Sequence, residues 1–131
     1  MMVDTIEGRL RALGIVLPAV PEPVANYVSF AITRDLLFLS GQGPRSSHGE
    51  WYLGQVGAEV TVQEAYKHAR LVGLRLLSVA HSALGSLDRV RRVVKLLGLV
   101  NAVSSFKDHP KVIDGCSDLM EIGRASCRER V

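Results

Sequence analysis

Residues 40–44 read Ser-Gly-Gln-Gly-Pro. A hydroxyl and an amide alternate there with glycines, which let a ligand or a neighbouring chain approach the backbone closely. A Walker loop would add Gly-Lys-Ser or Gly-Lys-Thr, and a dinucleotide fingerprint would read Gly-x-Gly-x-x-Gly; this stretch does neither. On composition alone it reads first as a plain turn. His48, His68, His81 and His109 make no His-x-x-x-His or His-Glu-x-x-His pair, so a metal centre has little support. His68 and His81 are thirteen positions apart on one predicted helix, on different faces. A serine–histidine–acid triad stays open, although Gly-x-Ser-x-Gly is absent. Asp114 and Asp118 are four apart and share a helical face. Carboxylates so placed could do acid–base work, but a solvated acidic face is the plainer reading. Cys116 and Cys127 lack Cys-x-x-Cys spacing, which argues against structural zinc and against a disulfide framework.

The elements that must position these groups are legible around one long stretch, Gly54 to Asn101. Thr61 and Glu64 fit a capping box. Ala65, Ala69, Val72, Leu76, Val79, Ala80 and Ala83 then recur at steps of three and four, one face of a helix at about 100° per residue. Gly85 is the natural stop, since it takes the left-handed conformation without a Cβ clash. Leu87 to Val100 is dense in valine and leucine with basic residues between, and predicts a mostly buried strand. Upstream, Ile6, Leu10 and Leu13 predict a short amphipathic helix over Thr5–Leu13 that ends at Gly14. Pro18, Pro21 and Pro23 make an extended connector. Asn26–Thr33 and the run from Leu36 predict a hairpin joined at Arg34-Asp35. Arg45 to Glu50 reads as a mobile polar loop, and Trp51, Tyr52 and Leu53 as a short apolar edge. Downstream, Asp108 is placed to cap a second helix that begins near His109-Pro110. Strands are expected at about 26–33, 36–41 and 89–101, and the main helices at about 62–84 and 109–120. A helix leading into a long strand is the core of an α/β or α+β layer protein.

A chain of 131 residues with 47% apolar residues can bury a core of its own and is not disordered throughout. No apolar run reaches the roughly eighteen residues of a membrane span. No secretory signal pattern opens the sequence, so a cytoplasmic location is expected. The net charge of +3 is spread along the chain and argues only weakly for nucleic acid.

Taken together, Tyr27, Leu-Leu-Phe-Leu-Ser-Gly-Gln-Gly-Pro at 36–44, the run from Gly54 through Leu77, Leu87 to Asn101, and His-Pro-Lys-Val-Ile-Asp-Gly-Cys-Ser-Asp-Leu at 109–119 resemble the YjgF/RidA family. The closest likeness is to its branch that begins with a helix and a proline-rich connector. The resemblance runs from Leu10 to Leu119. It implies an α+β, chorismate mutase-like fold: a mixed sheet of six strands with two main helices on one face. It also implies a homotrimer with a ligand pocket between subunits, and neither metal nor organic cofactor. The activity implied is that of a 2-iminobutanoate/2-iminopropanoate deaminase, which hydrolyses reactive enamines and imines such as 2-aminoacrylate to 2-keto acids and ammonia. An arginine fork would hold the substrate carboxylate. The substrate-binding positions carried over are Tyr27, Ser40, Gly41 and Gln42. The family asparagine of the second helix has no clean counterpart; Ile113 and Asp114 lie nearest, and Asp114 is taken as the candidate. The alternative is a non-enzymatic trimeric protein of the same fold that binds small carboxylates or RNA.

The resemblance stops where the family's last two strands, one of them carrying the arginine, are expected. The chain instead reads Glu-Ile-Gly-Arg-Ala-Ser-Cys-Arg-Glu-Arg-Val from Glu121. That tail is similar to the translation of a sequencing adapter. The expected organisation is therefore a RidA-like domain over 1–120, incomplete at its C-terminus, and a non-native tail over 121–131. Arg124 follows the helix with no strand to hold it, so it is not a counterpart of the family arginine. Without the arginine, activity is expected to be impaired.

Overall fold

A computed structural model describes residues 5–20 and 26–127 of the chain, with side chains through Glu121. Pro21 and Pro23 of the expected connector lie outside the described residues, as does the end of the tail. By its internal contacts the chain divides into two units. One comprises the chain through Gln42, Leu74–Arg92 and residues from Ile122; the other comprises Gly43–Gly73 and Val93–Glu121. The class is α+β, with three helices and a two-stranded antiparallel sheet among the described residues.

The first unit opens with α1, Ile6–Ala12, one residue inside the predicted range at either end. Thr5 caps it: its hydroxyl accepts from the Gly8 N–H at 2.9 Å. Gly14 follows at φ +71° and turns the chain away. Ile6 and Leu10, one turn apart, are buried with Ala80 and Leu87, and Leu37, Leu39 and Leu77 pack against them. Two polar clasps fix α1 to a 3₁₀ turn at Leu87–Arg89. The Ile6 N–H donates to Asp88 Oδ1 at 2.6 Å, and the Leu87 N–H donates to Glu7 Oε2 at 2.9 Å. Each carboxylate thus takes up an N–H that its own turn leaves without a partner. The hairpin pairs β1 (Phe30–Thr33) with β2 (Leu36–Leu39), in register Phe30 with Leu39 and Thr33 with Leu36. Arg34, at φ +55°, supplies the left-handed residue of the tight turn. Both strands are shorter than the expected 26–33 and 36–41.

The long helix α2 spans Val62–Leu84. Its capping box forms as the sequence predicts: Thr61 N–H to Glu64 Oε1 at 2.9 Å, and Glu64 N–H to the Thr61 hydroxyl at 3.1 Å. The Thr61 backbone N–H first, and the Thr61 hydroxyl second, hold the Glu64 carboxyl below its ordinary pKa. Gly85 ends the helix at φ +82°.

In the second unit Val56, Val60, Ala65 and Val112 form the core, with Val100, Ala102 and Phe106 against it. Val56 is bridged in parallel to Ala102. Helix α3, His109–Cys127, begins where Asp108 and Pro110 place it. Within this unit α3 meets α2 through glycine. A Cβ on buried Gly115 would overlap the carbonyl oxygen of Tyr66, and one on Gly73 would come to 3.0 Å from Cys116 Sγ and Leu119 Cδ2. In an open helix, Gly→Ala gains about 1 kcal/mol. Here Gly115→Ala must push a backbone group, so a net loss of about 2 kcal/mol is expected. Gly73→Ala crowds two side-chain atoms and meets backbone only at an ordinary 3.5 Å, Cys116 Cα, and should cost less. Urea unfolding of the two variants checks both the sign and the order; a stabilised Gly115→Ala would refute this contact.

The predicted strand at 89–101 is a correction. After the 3₁₀ turn, residues 90–101 form no regular element. A strand needs a partner for its N–H and C=O groups. Among the described residues, the backbone of 92–101 pairs only at its end, Val56 N–H to Asn101 O, with Val103 N–H to Val56 O just beyond it. Burial fails with the ladder: Val94, Leu97 and Leu99 are 68%, 74% and 89% exposed. No helix among the described residues is long and apolar enough to cross a membrane.

Candidate functional site

The hairpin carries the first candidate residues. As the chain leaves β2, the Ser40 N–H donates to Ser29 O at 2.9 Å, continuing the ladder by one bond. The Ser40 hydroxyl donates to Val28 O at 2.6 Å. Tyr27 is the chain neighbour of Val28, so it lies next to the residue that the Ser40 hydroxyl holds, at the open end of the hairpin. The Tyr27 ring is 41% exposed, and neither its hydroxyl nor the Gln42 amide has a hydrogen-bond partner among the described residues. A Cβ on exposed Gly41 would touch nothing within 4 Å, and its φ lies outside the left-handed region. The local fold therefore does not demand glycine at 41.

Asp114 belongs to the other unit, exposed on α3 one turn before Asp118. The structure does not join it to Tyr27 and Ser40 within a unit. The acidic face does have a partner that the spacing did not announce. The Tyr66 hydroxyl donates to Asp118 Oδ2 at 2.6 Å. That bond first, and desolvation second, raise the Tyr66 pKa above its ordinary value. A raised phenol pKa stabilises the fold below the unfolded value, and the contribution is lost as pH rises through the folded value. Asp118→Asn removes the acceptor charge. Its Tyr66 is expected to ionise at lower pH than in the parent, read by ultraviolet titration beside a Tyr66→Phe control. Identical titrations would refute the role given to Asp118.

The polar loop is tied down by several bonds. Ser46 N–H donates to Glu50 O at 2.7 Å and Arg45 Nε donates to Gly49 O at 2.8 Å. The Arg45 guanidinium lies 5.1 Å from the Trp51 ring centroid. Tyr52 stacks on His68 at 4.5 Å and 17°. Sequence reading missed this pair, because Tyr52 and His68 are far apart in the chain; the exposed aromatic doublet at 51–52 was the available signal. His81 is not a bare surface histidine either, since its Nε2 lies 3.5 Å from Glu7 Oε2. Cys116 is buried, and burial raises its thiol pKa, so it is a poor nucleophile. Among the described residues, no group of three or more His, Cys, Asp or Glu side chains could hold a metal ion.

The model of one protein family, described as "YjgF/chorismate mutase-like, putative endoribonuclease", matches residues 7–131. Protein TCP17 of Trypanosoma cruzi is 42% identical over 125 residues, covering 91% of this chain and 78% of that protein. A crystal structure described as a putative endoribonuclease from Shewanella oneidensis MR-1 superposes with TM-score 0.88 at 36% identity, covering 94% of this chain and 82% of that one. Atu1372 of Agrobacterium tumefaciens, described as of unknown function, gives TM-score 0.79 at 42% identity, covering 93% and 76%.

Proposed function

The chain belongs to the YjgF/chorismate mutase-like family, and we propose that it serves RidA-like hydrolysis of enamines and imines such as 2-aminoacrylate to 2-keto acids and ammonia. The observation that carries this reading is the open end of the hairpin. Tyr27, Ser40 and Gln42 offer two hydroxyls and an amide there, and Gly41 leaves the approach open. Those groups suit a small polar substrate and the water that attacks it. They are not cationic, so none of them balances a substrate carboxylate. Under this proposal the balancing charge is an arginine on a strand after α3, and the pocket closes in a homotrimer. Asp114 stands in for the family asparagine that positions water. The tail over 121–131 is proposed to be non-native.

A dehydratase that generates 2-aminoacrylate in situ, with keto-acid release followed over time, tests the reading. The 131-residue chain is compared with a version continued by the C-terminal strands of a relative that carries the arginine. A well-folded continued version without activity favours a binding protein.

A second reading rests on the aromatic–basic pairs of the other unit, Arg45 with Trp51 and His68 with Tyr52. Exposed rings beside a guanidinium and an imidazole suit stacking on unpaired RNA bases. The family description and the Shewanella protein's title both name an endoribonuclease. Incubation with labelled single-stranded RNA forms the second arm; cleavage lost in Trp51→Ala would favour this reading over the first.

A further inference from the structure

An open cleft of about 390 Å³ lies in the first unit, bounded by α1, residues 15–20 and the C-terminal part of α2. It is separate from the Tyr27–Gln42 residues. Leu10, Ile15 and Leu17 give it an apolar lining. Glu7 and Arg11, one helical turn apart on α1, bring charges of opposite sign to it. The other polar groups are engaged. The Ser78 hydroxyl donates to Pro18 O at 2.7 Å, and His81 faces Glu7 Oε2 at 3.5 Å. Glu7 Oε2 also accepts from the Leu87 N–H, while its Oε1 has no partner among the described residues. The exposed Arg11 guanidinium likewise has neither a hydrogen bond nor an ion pair among the described residues. Although Glu7 and Arg11 sit at the spacing of a helical ion pair, they are not joined as one.

We propose that this cleft binds an apolar α-amino acid as its zwitterion. The carboxylate lies on the Arg11 fork, the ammonium on Glu7 Oε1, and the aliphatic side chain on Leu10, Ile15 and Leu17. A guanidinium and a carboxylate oxygen, each without a partner among the described residues and beside an apolar lining, match that ligand group by group. A monocarboxylate would leave Glu7 unanswered, and an amine would leave Arg11 so. The volume is near the lower end for small-molecule sites, about 300–1,000 Å³, which suits one amino acid better than a nucleotide.

Calorimetry with L-leucine as the probe, beside 4-methylpentanoate and 3-methylbutylamine, tests the proposal on the whole chain. L-leucine is expected to saturate, with each truncated analogue and the Arg11→Gln variant about fivefold weaker or more. Arg11 is exposed, so Arg11→Gln should keep the parent's circular dichroism. Ala19→Trp, which fills the cleft from its edge, should abolish binding. Methyl shifts on Leu10, Ile15 and Leu17 should accompany saturation. No saturation by about 10 mM, or equal affinity in parent and Arg11→Gln, would overturn the proposal. Displacement of L-leucine by pyruvate would also overturn it, because that places the ligand in the keto-acid pocket.

Discussion

Continuing the chain with an arginine-bearing strand is expected to raise 2-aminoacrylate hydrolysis by about 30- to 5,000-fold over the 131-residue chain. The expectation follows from charge. The proposed substrate is a carboxylate, and the hairpin end offers hydroxyls and an amide but no cation. A desolvated arginine–carboxylate fork contributes about 2–5 kcal/mol, and each 1.36 kcal/mol is about tenfold in rate. Arg→Lys in the continued version keeps the charge and loses the planar fork, so it should fall between the two. Ser40→Ala removes the hydroxyl that holds Val28 O, and is expected to lower the continued version's rate while its unfolding midpoint moves little, since that bond is solvent-exposed. Full activity in the 131-residue chain would refute the assignment of the charge to an arginine.

What could be read from the chain alone was what depends on short-range chemistry. The Thr61–Glu64 box, the stop at Gly85, the Arg34-Asp35 turn and the start of α3 are each decided by a few neighbouring residues, and each is present. The segment 89–101 failed for the complementary reason. Valines and leucines state that a stretch is apolar, not that a partner strand lies beside it, and here it has no ladder. The candidate site divides in the same way. Ser40 meets Ser29 and Val28, beside Tyr27 in the chain, because a hairpin registers them, which the turn at Arg34 made legible. The Tyr66–Asp118 bond and the Tyr52–His68 stack join residues far apart in sequence, and neither has a local signature. The Glu7 and Asp88 clasps were hidden in the same way, because an acid in a first helical turn ordinarily interacts with its own helix end.

Leu87→Ala is expected to cost about 2–5 kcal/mol of stability. Leu87 is 1% exposed and shares its cluster with Ile6, Leu10 and Ala80. It sits on the 3₁₀ turn whose backbone clasps α1, so the truncation opens a void where three elements meet. The Leu87 N–H still donates to Glu7, and the Ile6 N–H to Asp88, since both bonds use groups the substitution leaves intact. The loss should therefore appear as lowered global stability, with α1 still docked: amide exchange at Ile6 and Leu87 should speed up only as far as the whole molecule does. Asp88→Ala removes one clasp beside the same void and costs about 1 kcal/mol alone. Because the two sites touch, the double variant should depart from additivity. Leu97→Ala provides the contrast. At 74% exposure it should change monomer stability by no more than about 0.5 kcal/mol. Val93, Val94, Leu97 and Leu99 are all exposed, and this apolar stretch is taken as the part of the proposed trimer that a second copy covers. The cost of Leu97→Ala would then grow with protein concentration while that of Leu87→Ala would not. Thermal melts of both variants across a hundredfold dilution, a range of about 2.7 kcal/mol in mass action, separate a core leucine from an interface one. A concentration-independent loss at Leu97 as large as that at Leu87 would contradict the placement of Leu97.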